Sequence, residues 1–234
     1  MRSNFLTTCT SSYTRKKVAS RSQLYADPKG RSMVEMLGVL AIIGVLSIGA
    51  IAGYSKAMMK YKLNKQAEQL NTILSALQQY RHDWKFTNRT PLKPYYQKMG
   101  IIPPEMIKDN TLYIYDIFNN SISLTTTGKL EGKTYTASTG FSYVLNSNSY
   151  DVCLNFFTVL KSYHEDLYRT VMSKLENGSE INEGSFYGDK YCSDQRLCIR
   201  NLSMNNIYDK CNYCNKSDHC SIWVSFPVED SYLQ

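Results

Sequence analysis

Six cysteines crowd the last third of this 234-residue chain: Cys153, Cys192, Cys198, Cys211, Cys214 and Cys220. Their spacing is compatible with three chemistries. Cys192-x5-Cys198 and Cys211-x2-Cys214, with His219 close by, have the make-up of a tetrahedral zinc site. Cys211-x-x-Cys214 alone has the spacing of a redox dithiol, although no thioredoxin-like βαβ pattern surrounds it. Alternatively the six pair as three disulfides, in any of fifteen connectivities. The seventh cysteine, Cys9, stands apart near the N-terminus. Removal of that end leaves an even set, which is the arithmetic of an oxidised, exported domain. Export argues against both zinc and redox chemistry, so disulfides are expected, and neither a metal nor a cofactor. The three histidines, His82, His164 and His219, form no catalytic constellation. Neither a Gly-rich phosphate loop, an H-E-x-x-H motif nor a nucleophile elbow occurs, so enzymatic activity is not expected.

The second group with chemical potential is a lone carboxylate. In "KGRSMVEMLGVL" (residues 29–40), Glu35 stands five positions after Gly30 at the mouth of an uncharged run. From Met36 to Ser55 only Ser47, Tyr54 and Ser55 carry polar side chains. Twenty residues of helix extend about 30 Å, the thickness of a bilayer's hydrocarbon core. Gly38, Gly44, Gly49 and Gly53 interrupt the run. They weaken a helix in water but permit close helix approach in lipid, and Gly49-x-x-x-Gly53 fits a small-residue contact face.

Charge is distributed unevenly around this segment. The chain carries a net +7, but residues 1–30 hold six basic residues against Asp27, so the remainder is close to neutral. A basic head on a near-neutral body is a targeting or topology signal rather than a nucleic-acid footprint, and no specific nucleic-acid partner is expected. Lys56, Lys60, Lys62 and Lys65 form a basic collar beyond the span, which by itself argues against export of that side. The cysteine count favours an exported C-terminus. Two plain readings of the span are a signal anchor and a secretory signal cut at Ala50-Ile51-Ala52.

The segment "KGRSMVEMLGVLAIIGVLSIGAIAGY" is more specific than either, because it resembles the N-terminus of type IV pilins and pseudopilins. The resemblance implies cleavage by a prepilin peptidase after Gly30, N-methylation of the new first residue, Arg31, and a role for Glu35 in assembly. In that family the glutamate meets the α-ammonium of a neighbouring subunit, and an opposite charge keeps a carboxylate ionised in a low-dielectric bundle. The thirty-residue leader favours the type IVb branch. Arg31 departs from the apolar residue usual at that position, and Ala52 stands where several type IVa pilins have proline. Gly44 falls where many pilins have a helix-loosening glycine. By the same resemblance a cysteine at a helix start is tied to one near the C-terminus, which implies Cys153–Cys220. The other four would then pair among themselves.

These residues need elements to position them. Leu63, Ala67, Leu70, Leu74 and Leu77 recur at spacings of four and three, with Ile73 widening the stripe. Lys62, Lys65, Gln66, Glu68, Gln69 and Gln78 lie off it. One helix is therefore expected from about Ser32 to Tyr80, the alternative being two helices separated by a break, or a bend, near Gly53. Pro91 and Pro94 break it, and "KMGIIPPEMI" follows as a structured loop. Residues 111–118 are ambiguous, whereas 121–127, 133–139 and 141–147 read as strands, with turns at "GKLEGK" and at Thr139-Gly140. Residues 153–178 read as a second helix with an Asn177-Gly178 cap, and 220–228 as a late strand closing the sheet.

The expected architecture is α+β and type IV pilin-like. It comprises a basic leader (1–30), an N-terminal helix (31–85; transmembrane over 36–55, amphipathic over 56–85) and an exported, cysteine-rich head (86–234) with an antiparallel sheet. The expected partners are other copies of the chain, the prepilin peptidase, an assembly platform in the inner membrane, and lipid before assembly. The precursor would sit in a bacterial inner membrane with its C-terminus exported, then join an extracellular filament. A type II secretion pseudopilin and a bitopic anchor bearing an exported binding head are the alternatives.

Overall fold

A computed structural model describes residues 32–84, 89–108, 110–127, 138–146, 150–176, 179–214 and 219–228. Gly30, Arg31, Cys9 and the "GKLEGK" turn lie outside them. The chain divides into two units, Met1–Ala50 and Ile51–Gln234. Helix α1 (Met33–Gln79) runs unbroken through Gly53.

In the second unit, α1 buries Leu70, Ile73, Leu74, Ala76 and Leu77, with Leu63 and Ala67 partly covered. This is the expected stripe with one correction: Gln66 and Gln69, expected off it, are buried as deeply as the leucines. Their amides are satisfied there. Gln66 Nε2 donates to Tyr143 Oη (2.7 Å) and to the Val152 carbonyl (3.3 Å), and its Oε1 accepts from Asn155 Nδ2 (2.7 Å). Gln69 Oε1 accepts the Ile117 N–H (3.0 Å). A buried amide is tolerated when its donors and acceptors find partners.

Helix α2 (Lys93–Lys98) has Pro94 in its first turn and ends in a Schellman turn at Gly100, whose φ is +70°. There Ile101 N–H reaches the Tyr96 carbonyl and Gly100 N–H the Gln97 carbonyl. Strands β1 (Tyr113–Tyr115), β2 (Ser121–Thr127) and β3 (Ser138–Asn146) follow in antiparallel order. The turn expected at Thr139-Gly140 does not form, since both residues lie within β3. Gly140 is glycine for another reason: an added Cβ would come within 2.1 Å of the Val224 carbonyl oxygen on the next strand.

The second predicted helix is also shorter than expected. α3 spans Tyr150–Leu160, a 3-10 turn covers Lys161–Tyr163, and β4 takes Arg169–Glu176. "RTVM" alternates: Thr170 and Met172 turn into the core, while Arg169 and Val171 face the other way. β4 pairs with β5 (Ser179–Tyr187) from Glu176↔Ser179 onward. That register leaves two residues between the strands, Asn177 and Gly178, which lie outside the described ones. Asn-Gly between two strand-like runs is a hairpin signal as well as a helix-cap signal. Helix α4 (Met204–Cys214) was not foreseen. The last strand, β6 (His219–Pro227), is central rather than closing: the order is β1-β2-β3-β6-β4-β5, all antiparallel.

One face of the sheet carries Phe141, Tyr143, Leu145, Met172, Ile222, Val224 and Phe226, in a shared core with α1, α3 and α4. Phe156 of α3 stacks on Tyr143 at 4.9 Å, and Phe157 meets Phe186 of β5 edge-on at 5.8 Å. The opposite face is lined by small hydroxyl residues. Ser123, Ser142, Trp223, Val171 and Ser185 form one cross-strand row, and Thr125, Gly140, Ser225, Arg169 and Tyr187 the next.

The disulfides are Cys153–Cys211, Cys192–Cys198 and Cys214–Cys220, with Cα–Cα distances of 5.7, 5.0 and 5.1 Å. The implied Cys153–Cys220 bridge is thus corrected, and so is pairing of the other four among themselves, which holds only for Cys192 with Cys198. Helix α4 is the cause. It presents Ile207, Cys211 and Cys214 on one buried stripe, so that Cys211 meets Cys153 on α3 while Cys214, at the helix end, meets Cys220 at the start of β6.

Two measurements follow from this architecture. Loop-entropy reasoning assigns about 4 kcal/mol to the bridge spanning 58 residues and about 2 kcal/mol to each bridge spanning 6. Replacing Cys153 and Cys211 by alanine should therefore lower the unfolding free energy roughly twice as much as replacing Cys192 and Cys198, and non-reducing peptide mapping should recover these three pairs. Asp116, after β1, supplies a pH test. It accepts the Phe118 and Asn120 N–H groups at 2.9 and 2.8 Å, the Asn120 side-chain amide at 3.0 Å and the Tyr143 hydroxyl. Burial nonetheless raises its pKa, these hydrogen bonds opposing the rise, and burial with the neighbouring carboxylate also raises that of Tyr143. For a carboxyl raised on folding, the linked stability is complete below the unfolded value of about 3.9 and is lost as pH climbs through the folded value. Asp116→Asn puts an amide where Tyr143 needs an acceptor and should cost about 1–3 kcal/mol. That deficit, followed by denaturant unfolding, should be largest at acid pH and shrink towards neutrality.

Candidate functional site

The first unit holds the start of α1, and its local chemistry begins with Ser32. Ser32 Oγ accepts the Val34 N–H at 3.3 Å, and Glu35 Oε2 accepts the Ser32 N–H at 3.2 Å. This is a capping box, Ser-x-x-Glu, in which the carboxylate also lies favourably near the positive end of the helix dipole. The motif is legible in "SMVE" but was not read from the sequence. Ser203-x-x-Asn206 at the start of α4 uses the same device: Asn206 Oδ1 accepts the Ser203 N–H at 3.0 Å, and Ser203 Oγ accepts the Asn206 N–H at 3.1 Å.

Beyond Glu35 the helix is apolar on every side and bare. Its most apolar 18-residue window has a mean hydropathy of 2.4 and is 0% buried. Val34, Leu37, Leu40, Ile42, Val45, Leu46 and Ile48 are all exposed. A helix hydrophobic around its whole circumference is stable only when buried in lipid or protein. One long apolar N-terminal helix of this kind can act as a membrane anchor or a signal. The two serines do not interfere, because Ser47 Oγ donates to the Ile43 carbonyl (2.7 Å) and Ser55 Oγ to the Ile51 carbonyl (2.9 Å). Hydroxyls satisfied within their own helix are compatible with hydrocarbon.

The glycines have no internal explanation. A Cβ added at Gly38, Gly44, Gly49 or Gly53 would meet nothing within 4 Å. Each costs a helix roughly 1 kcal/mol relative to alanine in water. Among the described residues no contact requires a glycine at these four positions. In the second unit the collar is partly engaged: Lys65 Nζ lies 3.0 Å from Glu68 and 3.2 Å from Glu105, and Lys62 lies 6.0 Å from the centre of the Phe118 ring. The hydrogen bonds that Lys65 donates to those two carboxylates raise its pKa.

The structure thus assigns Glu35 a local partner and leaves Gly44, Gly49 and Gly53 uncovered. Gly30 and Arg31 lie outside the described residues. All six C-terminal cysteine sulfurs are engaged in disulfides, so neither Cys211 nor Cys214 is a free ligand or half of a shared dithiol. Comparison with known protein families, with curated proteins and with solved structures found no match.

The capping box makes Glu35→Gln and Glu35→Ala informative together. Glutamine reproduces the cap and alanine does not. Hydrogen exchange of residues 32–40 in micelles should keep its protection in Glu35→Gln, whereas Glu35→Ala and Ser32→Ala should lose about 1 kcal/mol of it.

Proposed function

We propose that the chain is a prepilin of type IVb character and itself a filament subunit. The observation that carries the reading is α1: one continuous helix whose first half is apolar on all sides and bare, opened by a single carboxylate five residues after Gly30. Such a surface needs a cover in every state of the protein. Lipid supplies it for the precursor in the inner membrane, and the same segment of other copies supplies it in the fibre. Cleavage after Gly30 would expose an ammonium at Arg31, the residue then methylated, within reach of a neighbour's Glu35. Glycines without internal contacts suit helices that approach one another closely. Three disulfides suit a head exposed to an oxidising exterior.

Expression with and without a prepilin peptidase, followed by N-terminal sequencing and intact mass, tests processing. The expected product begins at Arg31, is peptidase-dependent and is heavier by one methyl group. A chain still beginning at Met1, or cut after Ala52, would sink the reading. Assembly has a separate test in Glu35→Gln, which keeps the helix cap and removes the charge. It should insert in the membrane normally yet reduce the yield of sheared filaments at least tenfold. Normal filament yield would reduce Glu35 to its capping role.

A further inference from the structure

The face of the sheet turned away from the core has a composition that the assembly reading does not use. Its two central rows, defined above, contain serines, a threonine, a tryptophan and an arginine, and no acidic residue. Three guanidinium groups gather there. Arg89 lies over the Trp223 ring at 5.8 Å, and Arg169 and Arg196 both lie on Tyr187, at 5.7 and 5.5 Å. Arg169 also donates to Ser185 Oγ at 2.7 Å, while its buried Nε has no hydrogen-bond partner among the described residues. Among those residues none of the three arginines forms a salt bridge, although Arg81, Arg200 and Lys65 elsewhere in this unit do. At these distances each guanidinium is attracted by the ring's face.

The geometry points to a docking surface for an acidic polysaccharide, a polymer of uronate-type sugars. Charge complementarity sets the sign of the ligand, because Arg89 and Arg196 are exposed, none of the three cations has a salt-bridge partner among the described residues, and the two rows hold no carboxylate. The planar fork of arginine matches a carboxylate with two parallel hydrogen bonds. Trp223 and Tyr187 stand two strands and two residues apart, about 12 Å between their Cα positions. That separation lets the guanidiniums engage charges on different sugar units of one chain. The partly exposed Ser123 and Ser142, in the row of Trp223, carry hydroxyls that can both donate and accept, as sugar hydroxyls require. A single-stranded nucleic acid fits less well. Its bases need bare aromatic faces, and here a guanidinium already lies over each ring.

Calorimetric titration of the full-length protein in detergent micelles with polygalacturonate oligosaccharides tests this. Neutral dextran oligosaccharides and a single-stranded oligonucleotide of matched charge are the comparisons. Polygalacturonate should bind, more weakly as salt is raised, and dextran should not. The double variant Arg89→Ala/Arg196→Ala changes two exposed side chains and should weaken binding at least tenfold with circular dichroism unchanged. Arg89→Lys/Arg196→Lys keeps the charge without the fork and should recover only part of that loss. No binding of polygalacturonate, binding indifferent to the alanine pair, full recovery by lysine, or tighter binding of the oligonucleotide would each overturn the proposal.

Discussion

The docking of α1 against the sheet is fixed by amides rather than by its leucines. A stripe of Leu70, Ile73, Leu74 and Leu77 tells the helix which side to bury, but apolar contacts are non-directional and tolerate sliding and rotation. Gln66 and Gln69 do not. One must find Tyr143, Val152 and Asn155 and the other the Ile117 N–H, so a change of register would leave several buried groups without partners. Each such orphan costs on the order of 1–3 kcal/mol, whereas the bond itself contributes about 1. The asymmetry makes the network a device of specificity. It links β3, through Tyr143, with the turn after β1, through Asp116 and Asn120, and with the helix.

Legibility in the sequence followed the range of the interactions. The length of α1 and strands β2 and β6 were read from local period and composition, because a 3.6-residue stripe or a β-rich run declares itself within ten residues. Gln66 and Gln69 were placed off the stripe because nothing local says that a partner 77 or 48 residues away will accept a glutamine. The stretch after Cys153 was read as one helix because "SYHEDLYRTVMSKLENG" has helix formers and a capping glycine. The competing signal, alternation in "RTVM" followed by Asn-Gly, is as local and was outweighed wrongly. Helix α4 escaped because two of its three buried residues are cysteines, and with it went the correct disulfide pairing.

The candidate site was legible in a different sense. The apolar run declares itself by length alone, since about twenty uncharged residues match the thickness of a bilayer's hydrocarbon core. The capping box was missed because Glu35 had been assigned a partner in another subunit before its own helix was asked whether it needed one. The two roles differ in what they demand of the side chain: an amide or an acid can cap, and only an acid can pair with an ammonium.

That difference bears on how a cut at residue 30 and an assembly event can be connected. In the structure the Ser32 N–H donates to the Glu35 carboxylate and the Ser32 hydroxyl accepts the Val34 N–H, so two of the helix's first N–H groups have side-chain partners. On the proposed reading, cleavage after Gly30 would create an α-ammonium one residue earlier, at Arg31, which already carries a positive side chain. Both cations would then compete with the neutral Ser32 N–H for a Glu35 carboxylate. In hydrocarbon, charge-assisted hydrogen bonds are roughly twice as strong as neutral ones, so the competition runs in favour of the ammonium wherever geometry lets it reach. Ser32 can release the carboxylate without fraying the helix entirely, because its own hydroxyl still holds the Val34 N–H. A box with two independent bonds thus lets one be exchanged while the other keeps the helix start in place, which is the property a glutamate needs if it is to cap a helix in the precursor and pair between chains afterwards.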